Sequence, residues 1–197
     1  MNAVAEQAQP LPTSRIADPA PLGLTAFALT TVLLNLANAG IVPEAAVVAV
    51  SMGLFCGGFA QLVAGMWEFA RGNTFGATAF SAYGAFWLSY WWLQSTAGVA
   101  EQAGGTGFGI YLLCWGLFTV LMTIASAKTD GATLATFSLL TVTLLILAFG
   151  DLTSTMGLTR VGGWFGLLTA AAALYTAWAG VMNATWKRSV LPVWPRV

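Results

Sequence analysis

Six long segments of this sequence contain no charged residue. They cover residues 22–42, 46–67, 73–93, 108–126, 132–149 and 161–185, and the short stretches between them hold most of the charges. A helix needs about 20 predominantly apolar residues to cross the hydrocarbon core of a bilayer. Because each segment has roughly this length, the sequence predicts an all-α membrane protein with six transmembrane helices.

The composition supports this assignment and argues against several other classes of protein. Only 7% of the 197 residues are charged, whereas a soluble globular domain has about 25%. The net charge is zero and there is no basic run, which argues against a nucleic-acid partner. The chain has no His, and Cys56 and Cys114 lie inside apolar segments, so we expect neither a metal site nor a cofactor. No catalytic constellation is recognisable, so an enzyme is the poorest interpretation.

The charges predict how the chain lies in the membrane. Cytoplasmic loops carry an excess of Lys and Arg. With the N-terminus inside, every basic residue except Arg160 falls on the inner side. We therefore expect a multi-pass plasma-membrane protein with both termini in the cytoplasm. Residues 1–17 are polar and predict a flexible N-terminal tail, 18–186 form one transport domain, and 187–197 form a short cytoplasmic C-terminal tail.

Several apolar segments carry polar residues along one helical face. Polar groups inside a membrane are costly and usually face protein or water. Successive residues of a helix are about 100° apart, which groups these polar residues into four stripes. The first segment has Thr31, Asn35 and Asn38 beside Phe27, and the second has Gln61 with Glu68 just after its end. The fifth has Thr136, Leu140 and Thr143, and the sixth has Thr176 within a stripe from Thr169 to Asn183. Taken together, these stripes favour a lined pathway for a small polar solute over hydrogen bonding between helices.

The third segment leaves its orientation open. Thr74 and Thr78 lie along one face, but Tyr83 lies nearly opposite Thr74. One regular helix cannot direct both sets of side chains at the same pore. Either this helix is irregular near its Gly-rich start, or one set faces a neighbouring helix.

Three charged residues flank the inner ends of the first and second segments. Glu68 and Arg71 predict either an interfacial ion pair or, for Glu68, a carboxylate that titrates during proton-coupled transport. Asp18 is a good residue for capping the first helix. Pro19 and Pro21 restrict the chain before that helix, so this rigid segment is able to reach back over the inner mouth.

The same region carries a family resemblance. Asp18-Pro19-Ala20-Pro21-Leu22-Gly23-Leu24 resembles the N-P-A-P-L-G-L signature of the acetate uptake transporter family, which includes bacterial succinate–acetate permeases. The likeness runs from Asp18 to Pro192 and is also carried by residues 58–61, 65–68, 72–88, 111–119 and 162–164. The resemblance implies six transmembrane helices, a homo-hexamer with one pathway per protomer, and transport of acetate and, in some members, succinate.

The resemblance also implies which residues narrow the pathway. In related proteins a Phe, a Tyr and a Leu form the constriction, and these match Phe27, Tyr83 and Leu140 here. The family's leading Asn is Asp18 in this chain. An ionised carboxylate at the inner mouth would repel an anion, whereas a simple helix cap would be harmless, and we favour the cap.

These observations predict a protein that transports acetate and related small carboxylates, either as a channel or as a proton-coupled symporter. Thr31, Asn35, Gln61 and Tyr83 are the expected hydrogen-bond donors to the substrate. One alternative is a channel for small neutral solutes such as urea, because no basic residue lies within a span. Another is a non-transporting membrane sensor, in which the stripes only hold the helices together.

Overall fold

The computed structural model describes residues 16–196, and within this part the chain forms six helices. Their bounds are α1, Ala20–Asn38; α2, Ala45–Arg71; α3, Thr74–Ser95; α4, Val99–Ser126; α5, Gly131–Leu152; and α6, Met156–Trp186. Each predicted segment overlaps one helix, so the six-helix prediction is confirmed. Residues 1–15 of the predicted N-terminal tail lie outside the described residues.

The predicted boundaries differ most at α1 and α4. The first helix ends at Asn38 rather than at residue 42, because the chain turns at Gly40, whose φ is 75°. The fourth helix begins at Val99, well before the predicted start at residue 108. Gly104 interrupts it with φ 58° and ψ −179°, so the stretch before this glycine forms a separate helical piece.

Five of the described helices are long and apolar enough to span a membrane by themselves. The exception is α3, whose Thr, Ser, Tyr and Gln side chains lower its mean hydropathy. Its 22 residues nevertheless extend about 33 Å, which matches the thickness of the hydrocarbon core. Much of α3 is buried against its neighbours, so its polar groups need not face lipid.

The six helices form a closed ring in chain order. Each helix packs against the next, and α6 closes the ring by packing along α1. Large apolar side chains such as Val47 (75% exposed), Phe55 (68%) and Leu121 (67%) cover the outside of the ring. This surface suits a lipid environment, and the buried core lies inside the ring.

Small residues allow the close helix contacts in this ring. Gly57 lies in a π-helical stretch of α2, Gly53–Ala60, and a Cβ there would be 2.6 Å from the indole of Trp87 on α3. On α6, a Cβ at Gly166 would collide with the amide of Asn35 on α1. Close approach of backbones at small residues is typical of helix packing in membranes. These glycines therefore set how near α2 and α6 come to the helices that surround the interior.

The segment after α6 folds back on the helices. The Oδ1 atom of Asn183 accepts hydrogen bonds from the backbone N–H groups of Val190 (2.7 Å) and Leu191 (3.0 Å). The carbonyl of Trp194 then accepts from the N–H of Gly131 at 2.8 Å, at the start of α5. The predicted C-terminal tail thus joins the ends of α5 and α6, and it supplies acceptors that the first turn of a helix otherwise lacks.

Candidate functional site

Two cavities lie inside the ring and share three lining residues, Phe27, Tyr83 and Leu140. The larger has a volume of about 110 Å³ and extends to the end where α1 and α5 finish and α6 begins. The smaller, of about 20 Å³, extends toward the end that holds the chain termini. Following the predicted orientation, we call these the outer and the inner cavity. One water needs about 10–15 Å³, so the outer cavity has room for several waters or a small solute.

The three shared residues form a collar between the cavities, and all are buried. The rings of Phe27 and Tyr83 lie 6.1 Å apart between centroids, and Tyr83 also contacts Phe118 edge-on at 5.5 Å. Leu140 completes the collar from α5. The aromatic packing holds Tyr83 in one position, so the separation between the cavities is set by side chains from α1, α3 and α5.

The hydroxyl group of Tyr83 is directed away from the route between the cavities. It lies 2.8 Å from Oγ1 of Thr119 on α4, and Thr119 donates its own hydroxyl proton to the carbonyl of Trp115 at 2.7 Å. Because a Thr hydroxyl has one proton, Tyr83 must be the donor to Thr119. Tyr83 therefore presents its ring to the cavities, and the expectation that its hydroxyl donates to the substrate is wrong for this structure.

The polar wall of the outer cavity comes chiefly from α1. Thr31, Asn35 and Asn38 all line it, and Thr143 joins them from α5. Thr31 donates its hydroxyl proton to the carbonyl of Phe27 at 2.7 Å, so it is able only to accept from a solute. Asn35 uses one N–H for the carbonyl of Thr31 at 2.9 Å, and Asn38 uses one for Oδ1 of Asn35 at 3.3 Å. Each amide keeps a second N–H.

The aromatic wall of the outer cavity was not predicted. It contains Phe86, Trp87 and Tyr90 of α3 and Phe108 of α4. The three α3 residues follow Tyr83 at helical spacing, so continuing its face along the helix would have found them. Trp87 is 2% exposed, and its Nε1 atom has no hydrogen-bond partner among the described residues. Asp151 and Thr159 were also missed as lining residues, because both lie near helix ends.

The inner cavity contains two residues of the predicted polar stripes, and the more polar of them is Gln61. It is 1% exposed, and its Oε1 atom has no hydrogen-bond partner within the described part of the chain. Thr136 also lines this cavity, but it donates its hydroxyl proton to the carbonyl of Ala132 at 2.9 Å. Gln61 is therefore the residue of the inner wall with spare hydrogen-bonding capacity.

Three predicted lining residues lie elsewhere. Thr74 and Thr78 are exposed and line neither cavity, because α3 directs its Tyr83 face inward and these residues occupy the other side. Thr176 is buried but donates to the carbonyl of Ala172 at 2.8 Å, and it too is outside both cavities. The structure therefore corrects the assignment of these three threonines to the lining.

Charged groups cluster at the inner end, beside the Asp18-Pro19-Ala20-Pro21 motif. The guanidinium group of Arg71 donates to Asp18, which also accepts from the backbone N–H of Ala20 at 3.0 Å. The carboxylate of Asp18 thus accepts a hydrogen bond from the first residue of α1, but the N-cap position itself is occupied by Pro19 and not by Asp18. The four motif residues line neither cavity.

Glu68 lies next to this ion pair but is fully buried. Its Oε2 atom is 3.9 Å from Arg71, and its carboxylate rests against Gly76 in the first turn of α3, where a Cβ would lie 2.9 Å from Oε1. A helix N-terminus favours a neighbouring negative charge. Glu68 lines neither cavity, so its contacts link the inner ends of α2 and α3.

Within the described residues no three Cys, Asp or Glu side chains are grouped as a metal site would require. The two cavities and their collar can instead receive a small solute with one polar and one apolar part. Asn35 and Asn38 line the outer cavity from α1, and aromatic and aliphatic side chains form much of the rest of its wall.

Comparison with known proteins gives a consistent result across nearly the whole chain. The succinate-acetate/proton symporter SatP of Escherichia coli is 39% identical over 182 residues, which cover 91% of this chain and 96% of that protein. The ammonia transport outward protein 2 of Saccharomyces cerevisiae is 41% identical over 197 residues, covering 94% of this chain and 68% of that protein.

A solved structure of the bacterial acetate channel SatP superposes with a TM-score of 0.86 at 39% identity, covering 91% of this chain and 99% of that one. The predicted resemblance is thereby confirmed, as is the prediction of a multi-pass membrane protein that is not an enzyme. Residues 2–195 match the GPR1/FUN34/yaaH family, and this chain belongs to that family.

Proposed function

We propose that this protein carries acetate and related short carboxylates across the membrane through the outer cavity, the collar and the inner cavity. The observation that carries the proposal is the shared wall of the two cavities, where Phe27, Tyr83 and Leu140 separate polar surfaces within a single chain. The names of the bacterial relatives, a succinate-acetate/proton symporter and an acetate channel, support the same substrate class.

The chemistry of the wall suits a small carboxylate. The spare N–H groups of Asn35 and Asn38 are able to donate to its oxygens in the outer cavity, and Gln61 offers polar contact beyond the collar. Leu140 and the ring of Phe27 supply apolar contact for a methyl group. Among the described residues no Lys or Arg lines either cavity, so no fixed cation holds the anion, and its binding depends on neutral dipoles, which favours rapid exit.

The direct test is solute flux into liposomes that contain the purified protein. We expect acetate to enter faster than lactate and succinate, because the collar admits only a short, partly dehydrated solute. Absence of flux for every solute would favour the sensor interpretation instead. Stronger inhibition of acetate uptake by urea than by propionate would favour a channel for neutral solutes, a candidate that the lack of lining cations keeps open.

The same liposomes distinguish a channel from a proton symporter. When an inward proton gradient is imposed, a symporter raises the initial rate of acetate accumulation above the rate at which the acid permeates protein-free liposomes, whereas a channel moves the anion without a proton. Glu68 is the predicted proton-coupling residue, although its position outside both cavities favours a structural role at the α2–α3 junction. If Glu68→Gln retains full gradient-driven accumulation, Glu68 is not the coupling residue.

We further propose that the protein is a homo-hexamer in the bilayer with one pathway in each protomer. The family resemblance motivates the number of protomers, and the enclosure of both cavities by one chain supports independent pathways. The exposed apolar surface, including Phe55, Phe59 and Trp67 on α2, offers area for both lipid and neighbouring protomers. Native mass spectrometry from nanodiscs tests the stoichiometry, and a monomeric mass would contradict it.

A further inference from the structure

Among the described residues, Asp151 is the one carboxylate that lines the outer cavity. It lies near the C-terminus of α5, at the outer end of the cavity, where Asn38 of α1 and Thr159 of α6 also contribute. Its side chain makes no hydrogen bond or ion pair within residues 16–196, and the side chain of Arg160 lies beside Gly40, after the end of α1. A solute entering this cavity therefore passes an uncompensated carboxylate.

This position is unfavourable for the stability of the helix. The C-terminus of a helix carries a partial negative charge, so a carboxylate in the last turn is repelled and a cation would be preferred. Asp151 is also only partly exposed, and Tyr90 and Phe108 are among its neighbours in the cavity wall. Residues that break a local rule without a compensating contact are expected at functional sites.

Other charges at this end do not cancel Asp151. Glu44 at the start of α2 and Glu101 in the first turn of α4 are exposed and carry the same sign, and within residues 16–196 Arg160 is the one basic residue at this end. Tyr83 and Tyr90 are the other titratable side chains in the cavity wall, and a Tyr hydroxyl is neutral at physiological pH. The local field felt by an incoming anion is therefore dominated by a negative charge.

We propose that Asp151 acts as a charge filter that makes the outer cavity select monocarboxylates over dicarboxylates. The inference rests on the proposed transport of carboxylates and specifies the substrate class further. Coulomb repulsion scales with the product of the charges, so a dianion is repelled about twice as strongly as a monoanion at the same position. Neutralising Asp151 relieves the dianion more than the monoanion.

The experiment measures how external succinate and propionate inhibit acetate uptake into liposomes, at a pH where both carboxyl groups of succinate are ionised. Inhibition requires binding in the outer cavity and not passage through the collar, so the size of succinate does not prevent the measurement. For Asp151→Asn we expect the inhibitory concentration of succinate to fall about tenfold at low ionic strength, and that of propionate to fall less. Asp151→Glu retains the charge and should resemble the wild type.

Glu101→Gln is the matched control, because it removes an exposed carboxylate from the same end without altering the cavity wall. The wild type supplies a second readout that needs no variant. At about 1 M salt the Debye length is about 3 Å, so salt screens the repulsion between Asp151 and succinate. Added salt should therefore lower the inhibitory concentration of succinate in the wild type, and it should have less effect in Asp151→Asn.

The outcomes distinguish failure of the charge filter from failure of the proposed transport function. Equal changes for succinate and propionate in Asp151→Asn, or the same change in Glu101→Gln, would overturn the charge filter. A salt-independent inhibitory concentration of succinate in the wild type would overturn it as well. Absence of acetate uptake by the wild type would instead contradict the proposed transport function itself.

Discussion

Replacing Leu140 by Ala tests whether the collar sets the size limit of the pathway. Leu140 is 6% exposed and lines both cavities, so truncation removes material from the point where they are separated. One methylene group in a size-selective apolar site changes discrimination by about 1–3 kcal/mol, or roughly 10–200-fold. Lactate is larger than acetate, so we expect the ratio of lactate to acetate flux to rise at least about tenfold.

The variant should remain folded well enough to measure. Buried Leu→Ala substitutions cost about 2–5 kcal/mol, and Leu140 belongs at the lower end because two of its sides border cavities rather than packed atoms. The measurement is the initial rate of radiolabelled lactate and acetate uptake into liposomes with equal amounts of protein. Using the ratio of the two rates removes differences in reconstitution.

Leu144→Ala is the matched control for this prediction. Leu144 lies one helical turn further along α5, is also 6% exposed, and lines the outer cavity without touching the inner one. Its truncation enlarges the cavity but leaves the collar in place, so the flux ratio should stay near the wild-type value. An unchanged ratio in Leu140→Ala, or an equal rise in both variants, would refute the assignment of Leu140 to the constriction.

Three further predictions follow from the hydrogen bonds and the ion pair. Tyr83→Phe removes the donor to Thr119 and should lower the free energy of unfolding by about 1 kcal/mol, measured by thermal melting in detergent, while acetate flux persists because the ring remains. Asp18→Asn removes the half-exposed ion pair with Arg71, so the free energy of unfolding should change by no more than about 1 kcal/mol and acetate uptake should persist. A large loss of acetate uptake would contradict this minor role of Asp18. Asn183→Ala releases the returning C-terminal segment, so limited proteolysis should cleave after α6 more rapidly, and unchanged cleavage would argue against that anchoring role.

The interior stripe of α1 was predictable because it depends on one helix. Phe27, Thr31, Asn35 and Asn38 share a face at helical spacing, and all four line the outer cavity. Whether they contact a substrate stays a prediction. Helical periodicity fixes which residues of a helix lie together, and here the most polar face is also the buried one.

The orientation of α3 was not predictable in the same way. Periodicity showed that Thr74 and Tyr83 point in opposite directions, but both faces contained polar groups, so neither was marked as interior. The neighbouring helices decide this, because Tyr83 has a partner in Thr119 and rings to pack against, whereas Thr74 and Thr78 remain exposed. Rotation of a helix about its axis is a property of the contacts it makes with other helices.

The amino-acid sequence by itself determined the class of this protein and its six helices, because span length and charge depletion are local properties of the chain, and its motifs carried the family resemblance. Tertiary structure alone brought Arg71 to Asp18, separated by 53 positions, and returned the C-terminal segment to the start of α5. It also turned Asp151 from a charge between two apolar segments into part of a cavity wall. Such pairings depend on how the ring of helices closes, and no spacing within a single segment encodes that geometry.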